Sequence, residues 1–155
     1  MEYRKDKRTK NLTLRDIHVG DWVQVWSETT ERYSPPLKII QICDDGTIYL
    51  VTSDEERPTP WEEDIKNVDA LPIDADLLRG FGFEKSGDSY LYNSSVFAFD
   101  KQLDVMGFFY IDKYYDTIKL GYIAYMHELQ QALHEERDFI ETFEPEWKGV
   151  DKHYS

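Results

Sequence analysis

The tripeptide Asp44-Asp45-Gly46 separates two runs of β-forming residues, Leu37 to Cys43 and Thr47 to Thr52. Glycine supplies the positive φ of a tight turn and aspartate suits its first positions, so the two runs fold back on each other as a hairpin. Upstream, Gly20-Asp21 marks a turn that feeds a strand from Trp22 to Trp26. Trp22, Gln24 and Trp26 share one face there, and Val23 and Val25 the other. Residues 27–36 are polar and close on Pro35-Pro36, which reads as a loop. Asp54-Glu55-Glu56 and Glu62-Glu63-Asp64 flank Pro58, Pro60 and Trp61, a second and very acidic loop; Ile65 to Leu71 reads as a short return strand. A strand opened by Gly-Asp, a long loop, a hairpin and a return strand predict an SH3-like small β-barrel over residues 14–72.

Pro72 marks a boundary. Asp74 is placed to cap a short helix over Ala75 to Arg79, and Gly80 to end it. Residues 90–99, 105–112 and 117–122 read as three antiparallel strands, close enough in sequence to form a meander. Tyr122, Met126, Leu129, Leu133, Ile140 and Phe143 recur at helical spacing and predict an amphipathic helix over 122–143. The expectation is an α+β chain: a flexible basic leader at 1–13, the barrel at 14–72, a helix, meander and long helix at 73–143, and a polar tail at 144–155, anchored by Trp147.

Charge narrows the functional classes. The net charge is -13 over 155 residues. Residues 1–11 carry five basic and two acidic groups, residues 12–73 five and thirteen, and residues 74–155 eight and sixteen. Direct nucleic-acid binding requires a basic face that displaces counterions, and the body offers none. No apolar run approaches the ~20 residues of a membrane span. The single cysteine, Cys43, excludes an intramolecular disulfide and any cysteine cluster for zinc or iron–sulfur. Its strand context makes it a packed thiol. These features together predict a cytoplasmic protein.

Three segments resemble a family. Leu71-Pro72-Ile73 through Phe81-Gly82-Phe83-Glu84-Lys85 resembles a recurring IPLTEEWLLKFGFEK segment. Ile123 to Gln130 resembles IKYVHQLQ, and Leu14 to Val23 resembles LRIGNWV with extra residues inserted. The segments occur in this order in uncharacterised small proteins of anaerobic gut bacteria, their phages and mobile elements. The resemblance spans roughly residues 14–134. It implies a phage or mobile-element setting and carries over no catalytic residue.

Known chemistries fail on spacing. His127-Glu128 begins like a zinc-protease helix motif, but position 131 is Gln where a second His is required. His127 and His134 lie two turns apart, roughly 10.5 Å of rise, too far to share one metal. His134 and Asp138, at i and i+4, are weak metal candidates, and a solvated pair is the favoured reading of them. Gly80, Gly82 and Gly87 have neither the spacing nor the context of a dinucleotide fingerprint. No cofactor is implied. A hydrolase of unfamiliar type would need a cleft with converging polar groups, which a sequence does not display.

Aromatic and acidic residues near the barrel's loops suggest binding instead. Trp22, Trp26, Tyr33 and Trp61, with Glu62, Glu63 and Asp64, are the candidate partner-binding residues. Loop aromatics on such barrels grip peptides, and acidic loops select basic partners. Trp22 and Trp26 also fit a barrel core. Two readings follow: a non-enzymatic module that binds a protein with a basic surface, and an acidic decoy that mimics nucleic acid to inhibit a DNA- or RNA-binding protein.

Overall fold

The computed structural model describes residues 9–52, 60–87, 89–92, 95–102, 105–111, 117–135 and 145–148. The chain divides into two units, Met1–Pro72 and Ile73–Ser155.

The first unit is a curled antiparallel sheet, a half-barrel. Its strands are β1 (Trp22–Ser27), β2 (Arg32–Tyr33), β3 (Leu37–Ile42), β4 (Thr47–Val51), β5 (Trp61–Asp64) and β6 (Val68–Asp69), ordered β2-β1-β3-β4-β5 with β6 also on β1. β1 holds the curl because it serves three neighbours along its length. Trp22 and Val23 pair β3, Gln24 and Val25 pair β6, and Trp26 and Ser27 pair β2. It is buried from Trp22 to Trp26 on both faces. Val23 lies opposite Leu37, and Ile39 opposite Leu50, so one apolar layer runs across β1, β3 and β4.

The hairpin forms as the turn chemistry requires. Gly46 has φ +95°, and the Asp45 carboxylate accepts the Thr47 amide at 3.0 Å, which holds the Asp45 carboxyl below the usual range. Gly20 has φ +102° at the entry to β1, and the buried Asp21 accepts the His18 amide at 2.8 Å. Sequence alternation breaks at Ile39-Ile40. A bulge there sets Ile40 outward at 39% exposure and brings Ile42 opposite Ile48.

Three readings of this unit are corrected. The acidic stretch Glu62-Glu63-Asp64 is strand β5, not loop: it pairs β4 from Leu50↔Trp61 to Thr47↔Asp64, and the Tyr49 hydroxyl donates to Glu62. Cross-strand pairing overrides the low β propensity of glutamate. The return strand is only Val68–Asp69. Ile65–Asn67 is a 3-10 turn, because the Asp64 side chain accepts the Lys66 amide and caps it. The leader is not free up to residue 13. Leu12 is buried, its amide donates to the Val68 carbonyl, and Asn11 bridges to Asp69. Residues 1–8 and the acidic Asp54–Glu56 lie outside the described residues.

The second unit contains helix α1 (Ala75–Gly80), helix α2 (Met126–Glu135) and a five-stranded meander. The meander runs β7 (Glu84–Ser86), β8 (Ser89–Tyr92), β9 (Ser95–Gln102), β10 (Val105–Ile111) and β11 (Thr117–Tyr122), each paired with the next. The stretch 90–99 is therefore not one strand: β8 ends at Tyr92, which pairs Ser95 at the start of β9. Asp74 caps α1 as expected, accepting the Leu77 amide at 2.8 Å. Its C-terminus is a Schellman motif closed by Gly82 at φ +95°, not by Gly80. The Phe83 amide reaches the Leu78 carbonyl and the Gly82 amide the Arg79 carbonyl. Helix α2 begins at Met126, four residues later than the periodicity suggests, because Glu128 accepts the amides of Ala124 and Tyr125 and fixes a start there. Its buried side includes Met126, Leu129 and Leu133; residues 136–144 lie outside the described residues.

Gly80 has a different duty. A Cβ built on it would lie 2.1 Å from the Trp147 ring, which packs edge-on against Phe81 while the Lys148 amide donates to the Gly80 carbonyl. Trp147 thus anchors residues 145–148 to the end of α1. Gly80→Ala forces the ring out of its seat and is expected to destabilise the protein by about 1–3 kcal/mol, read by urea unfolding and by a red shift in Trp147 emission.

Candidate functional site

The sequence from Trp26 to Tyr33 folds back over a short turn. The Ser27 carbonyl accepts the Glu31 amide, and the Ser27 hydroxyl accepts the Thr30 amide. Glu31 closes this turn at φ +53°, the one non-glycine residue with positive φ among those described. Backbone held in that region clusters at binding sites. The Trp26 and Tyr33 rings then meet edge to face at 4.8 Å across the β1–β2 pair.

At the far end of the sheet, period two puts Trp61 and Glu63 on one face of β5, and Glu62 and Asp64 on the other. A groove of about 460 Å³ joins the two ends. Its walls include Trp26, Glu28, Arg32 and Tyr33 from one end and Trp61, Glu63 and Asn67 from the other. β2 and β5 are the two ends of the curled sheet, and no ladder joins them among the described residues. The groove is therefore the open seam of the half-barrel. Trp61 stands 42% exposed in it.

Of the seven residues expected to bind a partner, the structure brings four to this groove: Trp26, Tyr33, Trp61 and Glu63. Trp22 has no exposed surface and belongs to the core. Glu62 faces Tyr49, whose hydroxyl it holds above the ordinary phenol range by its charge, and Asp64 is occupied in capping. The remaining walls, notably Glu28, Arg32 and Asn67, are polar residues that carry no pattern of their own in the sequence. His134 is exposed on α2, and Asp138 lies outside the described residues. Among the described residues, no three His, Cys, Asp or Glu side chains are grouped to hold a metal ion. Among the described residues, no helix is long and apolar enough to cross a membrane.

Behind the groove lies a buried carboxylate. Asp69 is fully buried, and it accepts the Tyr33 hydroxyl at 2.6 Å and the Asn11 amide group at 3.1 Å. The Tyr33 oxygen in turn accepts the Thr9 amide at 2.6 Å, the Thr9 hydroxyl donates to the Ala70 carbonyl, and Gln24 donates to the same carbonyl. A carboxylate taken out of water is costly unless such donors surround it. The network therefore fixes the Tyr33 ring that walls the groove, and with it the segment 9–12.

No family model matches this chain, no curated protein matches it, and no solved structure matches it. The groove must be read on its own chemistry: aromatic walls, carboxylates at both ends, one arginine, and no assembled nucleophile or metal set among the described residues.

Two outcomes follow from the Asp69 network. Tyr33→Phe deletes the hydroxyl between Asp69 and Thr9 and is expected to destabilise the protein by about 1–3 kcal/mol in urea unfolding. Burial, then the bond to Asp69, raises the Tyr33 hydroxyl above 10.0. The folded state then holds this proton more tightly than the unfolded chain. That contribution is complete below pH 10 and is lost as pH rises through the folded value. Wild-type stability should fall over that alkaline window, and the fall should be shallower in Tyr33→Phe.

Proposed function

We propose that residues 14–72 form an SH3-like, non-enzymatic interaction module whose groove grips an extended, basic segment of a partner protein. The observation that carries this reading is the convergence of Trp26, Tyr33, Trp61 and Glu63 on one groove at the open seam. Its volume falls in the range of about 300–1,000 Å³ typical of ligand clefts. Exposed tryptophan beside carboxylate suits a lysine or arginine, whose stem packs on the ring while its charge meets the acid. Among the described residues no strand pairs the outer edges of β2 and β5, and such edges offer main-chain partners to an extended peptide. The motif resemblance supports a phage or mobile-element setting, and the lone cysteine supports a cytoplasmic one.

Decoy activity against a nucleic-acid-binding protein is the lesser reading. A decoy presents carboxylates in phosphate-like rows, whereas the acids of β5 alternate across two faces and share one with Trp61.

Titration of the full chain with a synthetic lysine- and arginine-rich peptide tests the groove. Trp61→Ala is expected to weaken binding by about tenfold or more, as loss of an interface tryptophan does. Glu63→Gln should weaken it less and flatten its salt dependence. Trp61 is exposed, so the melting temperature should hold. Equal affinity of wild type and Trp61→Ala would sink the proposal.

A further inference from the structure

Two walls of the groove, Tyr33 and Asn67, are held by one segment that lines none of it, residues 9–12. The Tyr33 hydroxyl donates to Asp69 at 2.6 Å and accepts the Thr9 amide, while the Thr9 hydroxyl donates to the Ala70 carbonyl at 2.6 Å. Asn67 is held through its neighbours. The Asn11 side-chain amide donates to the carbonyls on either side of it, Lys66 at 3.0 Å and Val68 at 2.9 Å, and to the Asp69 carboxylate at 3.1 Å. Its two hydrogens are shared among three acceptors. Main-chain bonds complete the seat: the Leu12 amide donates to the Val68 carbonyl, the Ala70 amide donates to the Lys10 carbonyl, and Leu12 is buried.

Proteins open locally in cooperative units, at a free energy set by the contacts each unit makes. Lifting residues 9–12 takes the Thr9 donor from the Tyr33 hydroxyl and the Asn11 donor from the buried Asp69. It also releases the carbonyls that flank Asn67. A buried carboxylate stripped of a donor is unfavourable, so the network that orients Tyr33 loosens when the segment lifts. A ligand that fits the groove only with both walls in place binds the seated state. By linkage, that ligand also holds the segment down.

We propose that Thr9 and Asn11 are positioning residues for the seam groove, and that the seating of residues 9–12 is coupled to occupation of the groove by a basic peptide. The coupling rests on the groove reading above; the restraint that the segment places on Tyr33 and Asn67 does not. Neither Thr9 nor Asn11 touches the peptide, and each acts through the wall that it holds.

Peptide titration and amide hydrogen exchange on the full chain test this together. The probe is the synthetic lysine- and arginine-rich peptide. Asn11→Ala is expected to weaken its binding by about fivefold or more. Thr9→Val removes only a hydroxyl; it should weaken binding less, and it serves where Asn11→Ala does not fold. Ile39→Val controls for lost stability. Ile39 is buried in β3, a strand that supplies no groove residue among those described, so affinity should hold there. In the wild type, saturating peptide should slow exchange of the Leu12 amide by the factor lost in Asn11→Ala or more, because coupling is reciprocal. The Cys43 amide, bonded to Thr47 in the hairpin, should slow less. Equal affinity of the wild type and both segment variants overturns the proposal. So does equal weakening by Ile39→Val, or equal slowing at Leu12 and Cys43. If the wild type binds no such peptide, the proposed function falls and the free protein decides the inference. Asn11→Ala must then speed exchange of the Ser34 amide, bonded to Val25 beside Tyr33, more than that of Cys43. Equal changes at the two amides overturn it.

Discussion

The half-barrel depends on one carboxylate placed where water does not reach it. Asp69 sits in a two-residue strand, too short to hold its position by its own ladder, and is fully buried. Its oxygens gather a hydroxyl from β2 and a side-chain amide from the segment before β1. Three pieces of chain far apart in sequence are thereby fixed to one another. Because an unsatisfied buried charge is so unfavourable, the arrangement is close to all-or-none. The curl of β1, the seat of Tyr33 and the docking of residues 9–12 share its fate.

This dependence explains which parts of the first unit were legible in the sequence. Gly20, Gly46 and the hairpin that turns at Gly46 declare themselves through local chemistry: positive φ and short acidic side chains at turns. The Ile40 bulge leaves a trace as a break in alternation, but the register that makes sense of it belongs to the partner strand. Asp69 leaves no trace at all, since a buried aspartate and a solvated one have the same letter. The same holds for Glu62 and its neighbours, whose strand is imposed by β4. In the second unit, the Asp74 cap was readable, whereas the division between β8 and β9 and the late start of α2 were set by pairing and by Glu128.

The candidate site divides in the same way. Tryptophan and tyrosine near loops are rare enough to attract attention, so Trp26, Tyr33, Trp61 and Glu63 could be named in advance. Trp22 carried the same signal and proved to be core, because β1 buries both of its faces; Trp26 is packed in the same strand and keeps only 4% of its surface exposed at the groove wall. Sequence spacing reports which residues share a face of one strand; it does not report that the two ends of a sheet come close. That closeness turned a set of residues into a groove and added Glu28, Arg32 and Asn67 to it.

Position 80 carries a constraint of another kind. The Trp147 ring occupies the volume where a side chain at 80 would begin. The two positions are sixty-seven residues apart in the chain, yet they form one lock. In any lineage descended from this sequence they are expected to change together. A larger residue at 80 becomes admissible only where 147 has already shrunk, so drift at either site is gated by the other.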